Sequence, residues 1–381
     1  MNGFLTEKHN IVRRSVREFC EREIKPIAKD IDIEARFPWE VVEKMGKLGY
    51  FGIQAPVELG GAGMDTVSYC IIIEEISRVC AGLGLCVTVH NSVCVYPLLV
   101  FGSEEQKRRW VPPLAKGEKI GAFCLTEPNA GSDVASIEST AIPDGDHYLV
   151  NANKVFVTNG GVADTCLIFT RTDPSERYKG ISVIIAERGT QGFIVGDLED
   201  MSGMRANPVS SIRLYDCKIP RTNLLGKEGL GVKIGLVALD TGRIGIAAQA
   251  LGIAQAALEE SVRYANQRRQ FNVSIANHQA IQIKIAEMAT NVDAARLMIY
   301  RAATSKDQEK PISKEAAMAK LFASEISSKV CDMAVQIHGG YGYSKSYPVE
   351  RYYRDARITR IYEGTSEIHQ MVIARSVLSE Y

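Results

Sequence analysis

The middle third of the chain consists of short β-type runs that follow one another without a helix-length segment between them. Six such runs lie between residues 119 and 220: IGAFCL, HYLVNANKVFVTN, TCLIFTRT, ISVIIAE, GFIVGDL and SSIRLYDCKI. Parallel strands of an α/β fold alternate with helices, so this spacing predicts an antiparallel sheet or barrel instead. The turn residues Pro143-Asp144-Gly145-Asp146 predict a hairpin between two of the strands.

Both flanks of this β segment carry apolar stripes at helical spacing. Before it, stripes occur at residues 5–33, 39–48, 65–80 and 86–101, separated by Pro38, Pro56, the Gly60-Gly61-Ala62-Gly63 turn and Gly82. After it, alanine-rich amphipathic stretches occur at residues 236–268, 277–304, 312–337 and 366–379. We therefore predict an α fold with an inserted β domain: an N-terminal helical domain (1–118), a middle antiparallel β domain (119–232) and a C-terminal four-helix bundle (233–381).

The charge and hydropathy patterns argue against several partners. The 381 residues carry 45 basic and 45 acidic side chains, so no net positive charge attracts nucleic acid. We expect no membrane span, because we find no apolar stretch of that length. The first twenty residues fit an amphipathic helix better than a secretory or transit peptide, which indicates a protein of the bacterial cytoplasm.

The cysteines and histidines point to no metal site. The nine cysteines are never closer than six residues in the sequence, and most lie in apolar runs, which is typical of buried thiols in a reducing compartment. The six histidines are scattered and show neither an HExxH pair nor a spacing relative to cysteine that would suit zinc. We therefore expect no metal ion.

Near the end of the chain, the segment RIYEGTSEIHQ places Glu363 directly before a glycine. Gly364 gives the backbone a freedom that other residues lack, and Thr365 or Ser366 can cap a following helix. Apolar residues recur at helical spacing after that point. Glu363 is therefore predicted to lie in a tight loop at a helix N-terminus. The local sequence alone favours a solvated loop acid over a catalytic one.

Three further segments suit ligand binding, and each also has an ordinary structural explanation. The loop CLTEPNAGSDVAS (124–136) can aim backbone N–H groups and hydroxyls at a polar ligand, or be a surface turn. The segment QIHGGYGY (336–343) offers two glycines for a close backbone approach, or a helix end. The arginines of LDTGRIG and NQRRQFN can bind phosphate or be surface charges. The stretch GKEGLGVKIG lacks the preceding strand of a nicotinamide site and is interpreted as the turn entering the bundle.

These segments, taken together and in this order, resemble the acyl-CoA dehydrogenase flavoproteins, most closely the short-chain (butyryl-CoA type) members. The resemblance extends from PWEVVEKMGKLGYFGIQAPVELGGAG (38–63) to the terminal helix. It implies an FAD-dependent oxidoreductase that converts an acyl-CoA thioester to the 2-enoyl-CoA. It also implies a homotetramer and an electron-transferring flavoprotein as acceptor. The alternatives are an acyl-CoA oxidase, or a non-redox acyl-CoA binding or elimination module on the same fold.

The resemblance also implies which residues hold FAD. The first flavin segment is expected to comprise Phe123, Leu125, Thr126, Gly131 and Ser132, with Thr126 on the ring and Ser132 near the pyrophosphate. The second contains Phe156, where the family usually has tryptophan, and Thr158. The adenosine end is expected to contact a neighbouring subunit through Arg268, Phe271, Gln336, Ile337, Gly339 and Gly340. Thr365 and Glu367 are expected to complete the cofactor site.

The same resemblance assigns the catalytic base to Glu363. Branches of the family with the base on the first bundle helix would place it near Gly242, which has no side chain. We expect burial beside ligand to raise the pKa of Glu363 toward neutrality. The expected substrate contacts are Ser132, Asp240, Arg243 and Gly364.

The acyl group should lie between residues 87–93 and the first bundle helix at 247–251. Gly84 stands where glutaryl-CoA dehydrogenases have a carboxylate-binding arginine, which disfavours a dicarboxylic substrate. Short straight, branched or alicyclic acyl groups remain open. His90, Asn91 and Asn207 could tune this pocket, but a packing or surface role is favoured for each.

Overall fold

The computed structural model describes residues 5–380, and the chain is mainly helical up to residue 115. Seven helices occur there: α1 Glu7–Phe19, α2 Ala28–Glu34, α3 Trp39–Lys47, α4 Thr66–Val79, α5 Ala81–Val89, α6 Tyr96–Phe101 and α7 Glu104–Ala115. The single helix predicted at residues 5–33 is wrong, because Pro26 lies in a turn that separates α1 from α2. The sequence did not predict α7.

The helix predicted at residues 86–101 begins earlier than expected. Cys80, with an extended backbone at φ −146° and ψ 98°, separates α4 from α5, so the predicted break at Gly82 is wrong. A π-helical turn, His90–Val95, joins α5 to α6 into one helical stretch. Such turns inside α-helices are frequent at functional sites.

The middle of the chain forms one seven-stranded sheet. Its strands are β1 Gly121–Cys124, β2 Thr140–Asp144, β3 His147–Val157, β4 Thr165–Arg171, β5 Ile181–Glu187, β6 Phe193–Leu198 and β7 Ser210–Pro220. Their order is β1-β4-β2-β3-β7-β6, with β5 also paired to β4. The sheet is mainly antiparallel, as predicted, but β1 runs parallel to β4, and β2 meets the end of β4 in parallel. The spacing of the sequence runs did not reveal these parallel contacts.

The predicted hairpin turn joins β2 to β3. Asp144 pairs with His147 across it, and Gly145 adopts a left-handed conformation at φ 60°. β2 is absent from the six predicted strands. It is short, contains Pro143 and leaves Ile142 57% exposed, so neither its composition nor its burial gives a strong strand signal.

The remainder of the chain is helical. It contains α8 Gly231–Gln267, α9 Gln279–Asp307, α10 Ser313–His338, α11 Val349–Ile358 and α12 Ser366–Glu380, with a two-stranded hairpin of β8 Arg269–Gln270 and β9 Val273–Ser274 after α8. The four predicted bundle helices are confirmed, whereas α11 and the hairpin were not predicted. Gly229, at φ 79°, lies in the turn before α8, and Gly339, at φ 61°, ends α10.

The N-terminal and C-terminal helices share one hydrophobic core. Buried residues of α1 and α4, such as Phe19 and Ile73, belong to the same cluster as Ile253 of α8 and Val330 of α10. A second cluster joins α6 and α7 to the β4–β5 face of the sheet and the start of α8, and a third lies within the sheet. The two helical parts are therefore packed as one body, and the domain boundaries given above remain a prediction.

Buried charged side chains connect four of these helices. Glu74 and Glu75 on α4 are almost inaccessible to solvent. They accept hydrogen bonds from arginines on α1, α4 and α9, namely Arg13, Arg17, Arg78 and Arg296. Arg78 also donates to Glu259 of α8. Since removing one partner would leave a buried charge uncompensated, this network fixes the helices relative to one another.

Two helical segments, Ala81–Phe101 and Gly231–Gln267, are long and apolar enough to cross a membrane by length and composition alone. The expectation that no apolar stretch reaches this length is therefore wrong. Their most apolar windows have mean hydropathies of 1.6 and 1.3, and 83% and 78% of those windows are buried inside the protein. Core helices of globular proteins have the same character.

Candidate active site

The loop between α11 and α12 carries Glu363 in a strained backbone conformation. Glu363 has φ 52° and Gly364 has φ 100°, so both residues of the bend lie in the left-handed region. That region is uncommon for a residue with a side chain, and such strain persists only where surrounding contacts enforce it. Thr365 caps α12, since its hydroxyl accepts from the N–H of Ile368 at 3.4 Å. The predicted loop and helix cap are confirmed. The left-handed conformation, however, is adopted by Glu363 as well as by Gly364.

Three contacts from neighbouring helices hold this loop. Lys320 of α10 donates from Nζ to the Gly364 carbonyl at 2.6 Å. The Tyr362 hydroxyl donates to Gln249 of α8 at 2.6 Å. Glu325 of α10 accepts from Arg360 at 2.8 Å and from Ser366 at 2.6 Å. The bend is therefore fixed on both sides of the acid.

The carboxylate of Glu363 is buried against α8. Its two oxygens are inaccessible to solvent and have no hydrogen-bond partner within residues 5–380. A methyl group placed on Gly242 of α8 would lie 2.1 Å from Oε2, so the carboxylate occupies the space that this glycine leaves. Burial raises the pKa of Glu363 to about 7, against the opposing charges of Lys320 and Arg243. An unpaired acid that titrates near neutrality is suited to accept a proton.

Two buried cations accompany this acid. Arg243, on the same helix as Gly242, donates to Asp240 at 2.6 Å, and its Nε has no hydrogen-bond partner among the described residues. Burial lowers the pKa of Lys320 to about 7. The structure thus places Arg243, expected as a CoA contact, near enough for its charge to act on Glu363, and Asp240, the other expected contact, pairs with Arg243. Sequence reasoning missed Lys320, because a hydrogen bond to a distant backbone carbonyl leaves no local motif.

The two expected flavin segments lie side by side. The N–H of Val155 donates to the Thr126 carbonyl at 3.0 Å, which joins the end of β3 to the loop after β1. Lys154, which is fully buried, donates to Glu127 at 2.6 Å and to the Leu125 carbonyl at 3.2 Å. Glu127 in turn accepts from backbone N–H groups at 138 and 139. A buried ion pair therefore locks the two segments together, and sequence reasoning did not find it.

These segments present polar and aromatic groups outward. Phe156 is 62% exposed and has φ 53°, an unusual combination for a large aromatic residue at the end of a buried strand. Thr126 and Thr158 are partly exposed, and Phe123 packs against Phe169 at a centroid distance of 4.6 Å. A methyl group on Gly131 would meet no atom within 4 Å, and Ser132 beside it is exposed. The surface can receive a planar ring and a polar chain.

The residues expected at the adenosine end surround an opening of about 700 Å³. Its walls come from the ends of α8 and α10, the β8–β9 hairpin and the start of α9, and include Arg268, Phe271, Ile337, Gly339 and Gly340. The Phe271 side chain is 89% exposed. The exposed Gln336 lies on the same helix end, outside this lining. The structure thus groups five of the six expected residues around one opening.

Along α8 from Gly242, the hydroxyl groups of Tyr69 and Thr88 fill the space next to the helix. A methyl group on Gly245, one turn along α8 from Gly242, would lie 2.2 Å from the Tyr69 hydroxyl and 2.0 Å from Oγ1 of Thr88. Tyr69 and Thr88 are fully buried and hydrogen-bonded to each other. Residues 87–93 and 247–251 are likewise buried, as expected for the walls of an acyl site.

His90, Asn91 and Asn207 have the packing roles expected of them. His90 accepts from the N–H of Gly121 at 3.0 Å and donates to the Leu114 carbonyl, while burial lowers its pKa to about 4. Asn91 bridges three backbone groups, and Asn207 pairs with Asn159. The nine cysteines are all buried, free thiols.

Comparison with known proteins identifies the family. The chain matches "Acyl-CoA dehydrogenase, N-terminal domain" at residues 6–118, "Acyl-CoA dehydrogenase, middle domain" at 122–217 and "Acyl-CoA dehydrogenase, C-terminal domain" at 229–378. It is 48% identical over 377 residues to "Acyl-CoA dehydrogenase, short-chain specific" of Clostridium acetobutylicum, which covers 99% of this chain and 100% of that protein. The chain belongs to the acyl-CoA dehydrogenase family.

Solved structures agree with this assignment of the enzyme. Butyryl-CoA dehydrogenase from Megasphaera elsdenii matches with a TM-score of 0.97 and 41% identity, covering 98% of this chain and 99% of that chain. A chain from the structure of the electron transferring flavoprotein of Acidaminococcus fermentans matches with a TM-score of 0.97 and 45% identity, covering 98% of each. The acyl-CoA dehydrogenase is accordingly an FAD-dependent oxidoreductase.

Proposed function

We propose that the enzyme removes the α-proton and β-hydride of a short acyl-CoA thioester to give the 2-enoyl-CoA, with Glu363 as the general base. The observation that carries this proposal is the carboxylate itself. It is buried and unpaired within residues 5–380, lies on a strained loop held by three side chains of neighbouring helices, and has a pKa raised to about 7 by burial. A surface or structural acid needs none of these properties.

The reaction requires three things of the chain. Oε1 or Oε2 of Glu363 accepts the α-proton, which the exclusion of water and the raised pKa both favour. The N–H of Glu363 makes no backbone hydrogen bond within residues 5–380, so it can donate to the thioester carbonyl and stabilise the enolate. Bound FAD supplies the acceptor for the β-hydride. The left-handed bend lets one residue present both its acid and its N–H to one substrate.

The exposed side chains of the two flavin segments, residues 123–132 and 156–158, would hold FAD. Phe156 offers its exposed ring to the flavin, Thr126 and Thr158 offer hydroxyls, and the Gly131-Ser132 turn gives a polar chain room to pass. Phe123 and Leu125 lie behind these groups, and Thr365 and Glu367 lie at the start of α12. These assignments fit the accessible groups of this surface.

The adenosine end of FAD would reach the opening around Arg268 and Phe271 from another subunit. The exposed ring of Phe271 offers an aromatic face to an adenine ring, and the glycines of the wall allow a close approach. We therefore propose an oligomer, a homotetramer by family resemblance. Ser132, Asp240, Arg243 and Gly364 are the proposed CoA-side contacts.

The substrate is proposed to carry a short straight, branched or alicyclic acyl group. Tyr69 and Thr88 fill the space at Gly245, one turn along α8 from Gly242, which limits the depth of the site. A methyl group on Gly84 would lie 1.9 Å from Oγ of Ser77, so this position has no room for the carboxylate-binding arginine of glutaryl-CoA dehydrogenases. The acceptor proposed for the electrons is an electron-transferring flavoprotein.

Glu363→Gln tests the proposal. The variant should retain FAD and acyl-CoA binding, while anaerobic bleaching of the flavin spectrum by butyryl-CoA slows by about 10²–10⁴-fold. Glu309→Gln is the matched control, since Glu309 is an exposed glutamate that also has a positive φ of 55°. Bleaching at the wild-type rate in Glu363→Gln would refute the assignment of the base. Peroxide formed in air during turnover would instead identify an oxidase.

A further inference from the structure

Lys320 is a fully buried lysine that faces the proposed base without binding it. Its Nζ donates to the Gly364 carbonyl at 2.6 Å, one residue beyond Glu363. Both carboxylate oxygens of Glu363 stay free of hydrogen bonds within the described chain. The ammonium therefore acts on the acid through charge and through the backbone, and the oxygens remain available to a substrate.

The surroundings make this position unusual for a cation. The charged and titratable groups that face the Lys320–Glu363 pair come from four helices and the loop: Tyr69 of α4, Asp240 and Arg243 of α8, Glu325 of α10, Tyr362 of the loop, and Glu367 and His369 of α12. Asp240 is already paired with Arg243, and Glu325 with Arg360. Of the acids in this set, Glu363 alone lies buried without a hydrogen-bond partner.

We propose that Lys320 is a positioning residue for Glu363, holding the Gly364 carbonyl so that the left-handed bend persists and placing a positive charge beside the carboxylate. This inference rests on the proposed role of Glu363 as base. It makes Lys320, 44 positions before Gly364 in the sequence, part of the same functional unit.

The physical argument has two parts. A non-glycine residue with φ near 50° is strained and needs external contacts to persist. His369 lies against the Gly364 Cα, where a methyl group would come within 3.0 Å of its ring, and Lys320 holds the carbonyl of the same residue. Gly364 is therefore contacted from two sides, and these contacts fix the direction of the Glu363 side chain.

The second part is electrostatic. A carboxylate buried without a hydrogen-bond donor becomes protonated unless a positive charge lies near it. Lys320 in its charged form and Arg243 both favour the ionised form of Glu363, and the Glu363 carboxylate in turn favours the charged form of Lys320. Arg243 is partly neutralised by Asp240. Removing Lys320 should therefore raise the pKa of Glu363 as well as loosen its backbone.

Lys320→Met and Lys320→Gln test the inference, since the first removes charge and donor and the second removes the charge but keeps a shorter donor. The measurement is the anaerobic rate of flavin bleaching by butyryl-CoA from pH 6 to 10. In both variants the acid limb of the bleaching rate should move up by at least about one pH unit. The plateau rate should fall at least about tenfold in Lys320→Met and less in Lys320→Gln, with FAD content unchanged.

Lys314→Met is the control, because Lys314 lies on the same helix and pairs at the surface with Glu380. The inference is overturned if either Lys320 variant retains FAD and its acid limb stays at the wild-type pH. A lysine with a merely structural role would lower the rate equally at every pH. If Glu363→Gln is inactive while both Lys320 variants keep the wild-type profile, only the role of Lys320 is refuted. If Glu363→Gln is active, the proposed function itself fails.

Discussion

Gly242 should be among the least replaceable residues of the enzyme, although it takes no part in the chemistry. In Gly242→Ala the new methyl group would start 2.1 Å from Oε2 of Glu363, 2.8 Å from its carboxyl carbon and 3.0 Å from Oε1. Real Cβ atoms essentially never approach another heavy atom closer than 3.0 Å. Oε2 must therefore retreat from 2.1 Å to at least about 3.0 Å, a shift of about 0.9 Å.

The carboxylate is the flexible end of the Glu363 side chain and can turn aside, but its backbone is held on both sides, so the turn displaces it from the position described above. A misplacement of about 1 Å in a catalytic group costs roughly 10²-fold in rate, which corresponds to about 2.7 kcal/mol of transition-state stabilisation. We expect kcat/KM for butyryl-CoA to fall by about that factor. FAD content should stay the same, and thermal stability should change little, because alanine favours a helix interior over glycine by up to about 1 kcal/mol.

Gly235→Ala is the matched control on the same helix, two turns earlier. The added methyl group would meet the ring edge of Phe169 at 3.2 Å, a contact that a small ring movement relieves. This variant should keep the wild-type rate. If Gly242→Ala carried full FAD and turned over within about threefold of wild type, the fit between Gly242 and Glu363 would not matter to catalysis.

Two further predictions concern pH and the cofactor. Because burial raises the pKa of Glu363 to about 7, the base is ionised above that pH, and kcat/KM should fall about tenfold for each unit below it; an acid limb near pH 4.5 would contradict this. Lys154→Met leaves Glu127 buried without its partner, so the two flavin segments should separate and FAD should bind at least about tenfold more weakly in a fluorescence titration. Lys218→Met, which removes an exposed lysine of β7, should leave FAD binding unchanged.

The sequence carried the order of the elements and the proposal that Glu363 is the base. Helical stripes and β-type runs predicted the helix–sheet–helix layout, because amphipathic periodicity reflects which face is buried. It did not predict α11, which is only ten residues long, or β2, whose outward side chains and proline weaken the strand pattern. Glu363 was found through its place in a collinear set of motifs, since its own loop gave no chemical signal.

The shape of the site could not be read from the sequence. The fit of Gly242 around the carboxylate depends on a contact between residues 121 positions apart, and the Lys320 contact depends on a backbone carbonyl that any residue would supply. The left-handed φ of Glu363 is likewise a product of tertiary contacts, because the following glycine would by itself place the bend one residue later. Such features arise only when α8, α10 and the loop are packed together.

The shared core of the two helical parts has a consequence for the time course of synthesis. Arg78 of α4 and Glu259 of α8, which pair within that core, are 181 residues apart in the chain. At about 5 to 20 residues per second, the second emerges from the ribosome about 10–35 s after the first. During that interval α1 and α4 have their apolar faces and buried acids uncovered, because the helices that cover them have not been made. The nascent chain therefore passes through a long period in which its first helices lack their partners, and native packing is possible only once the last third of the protein is complete.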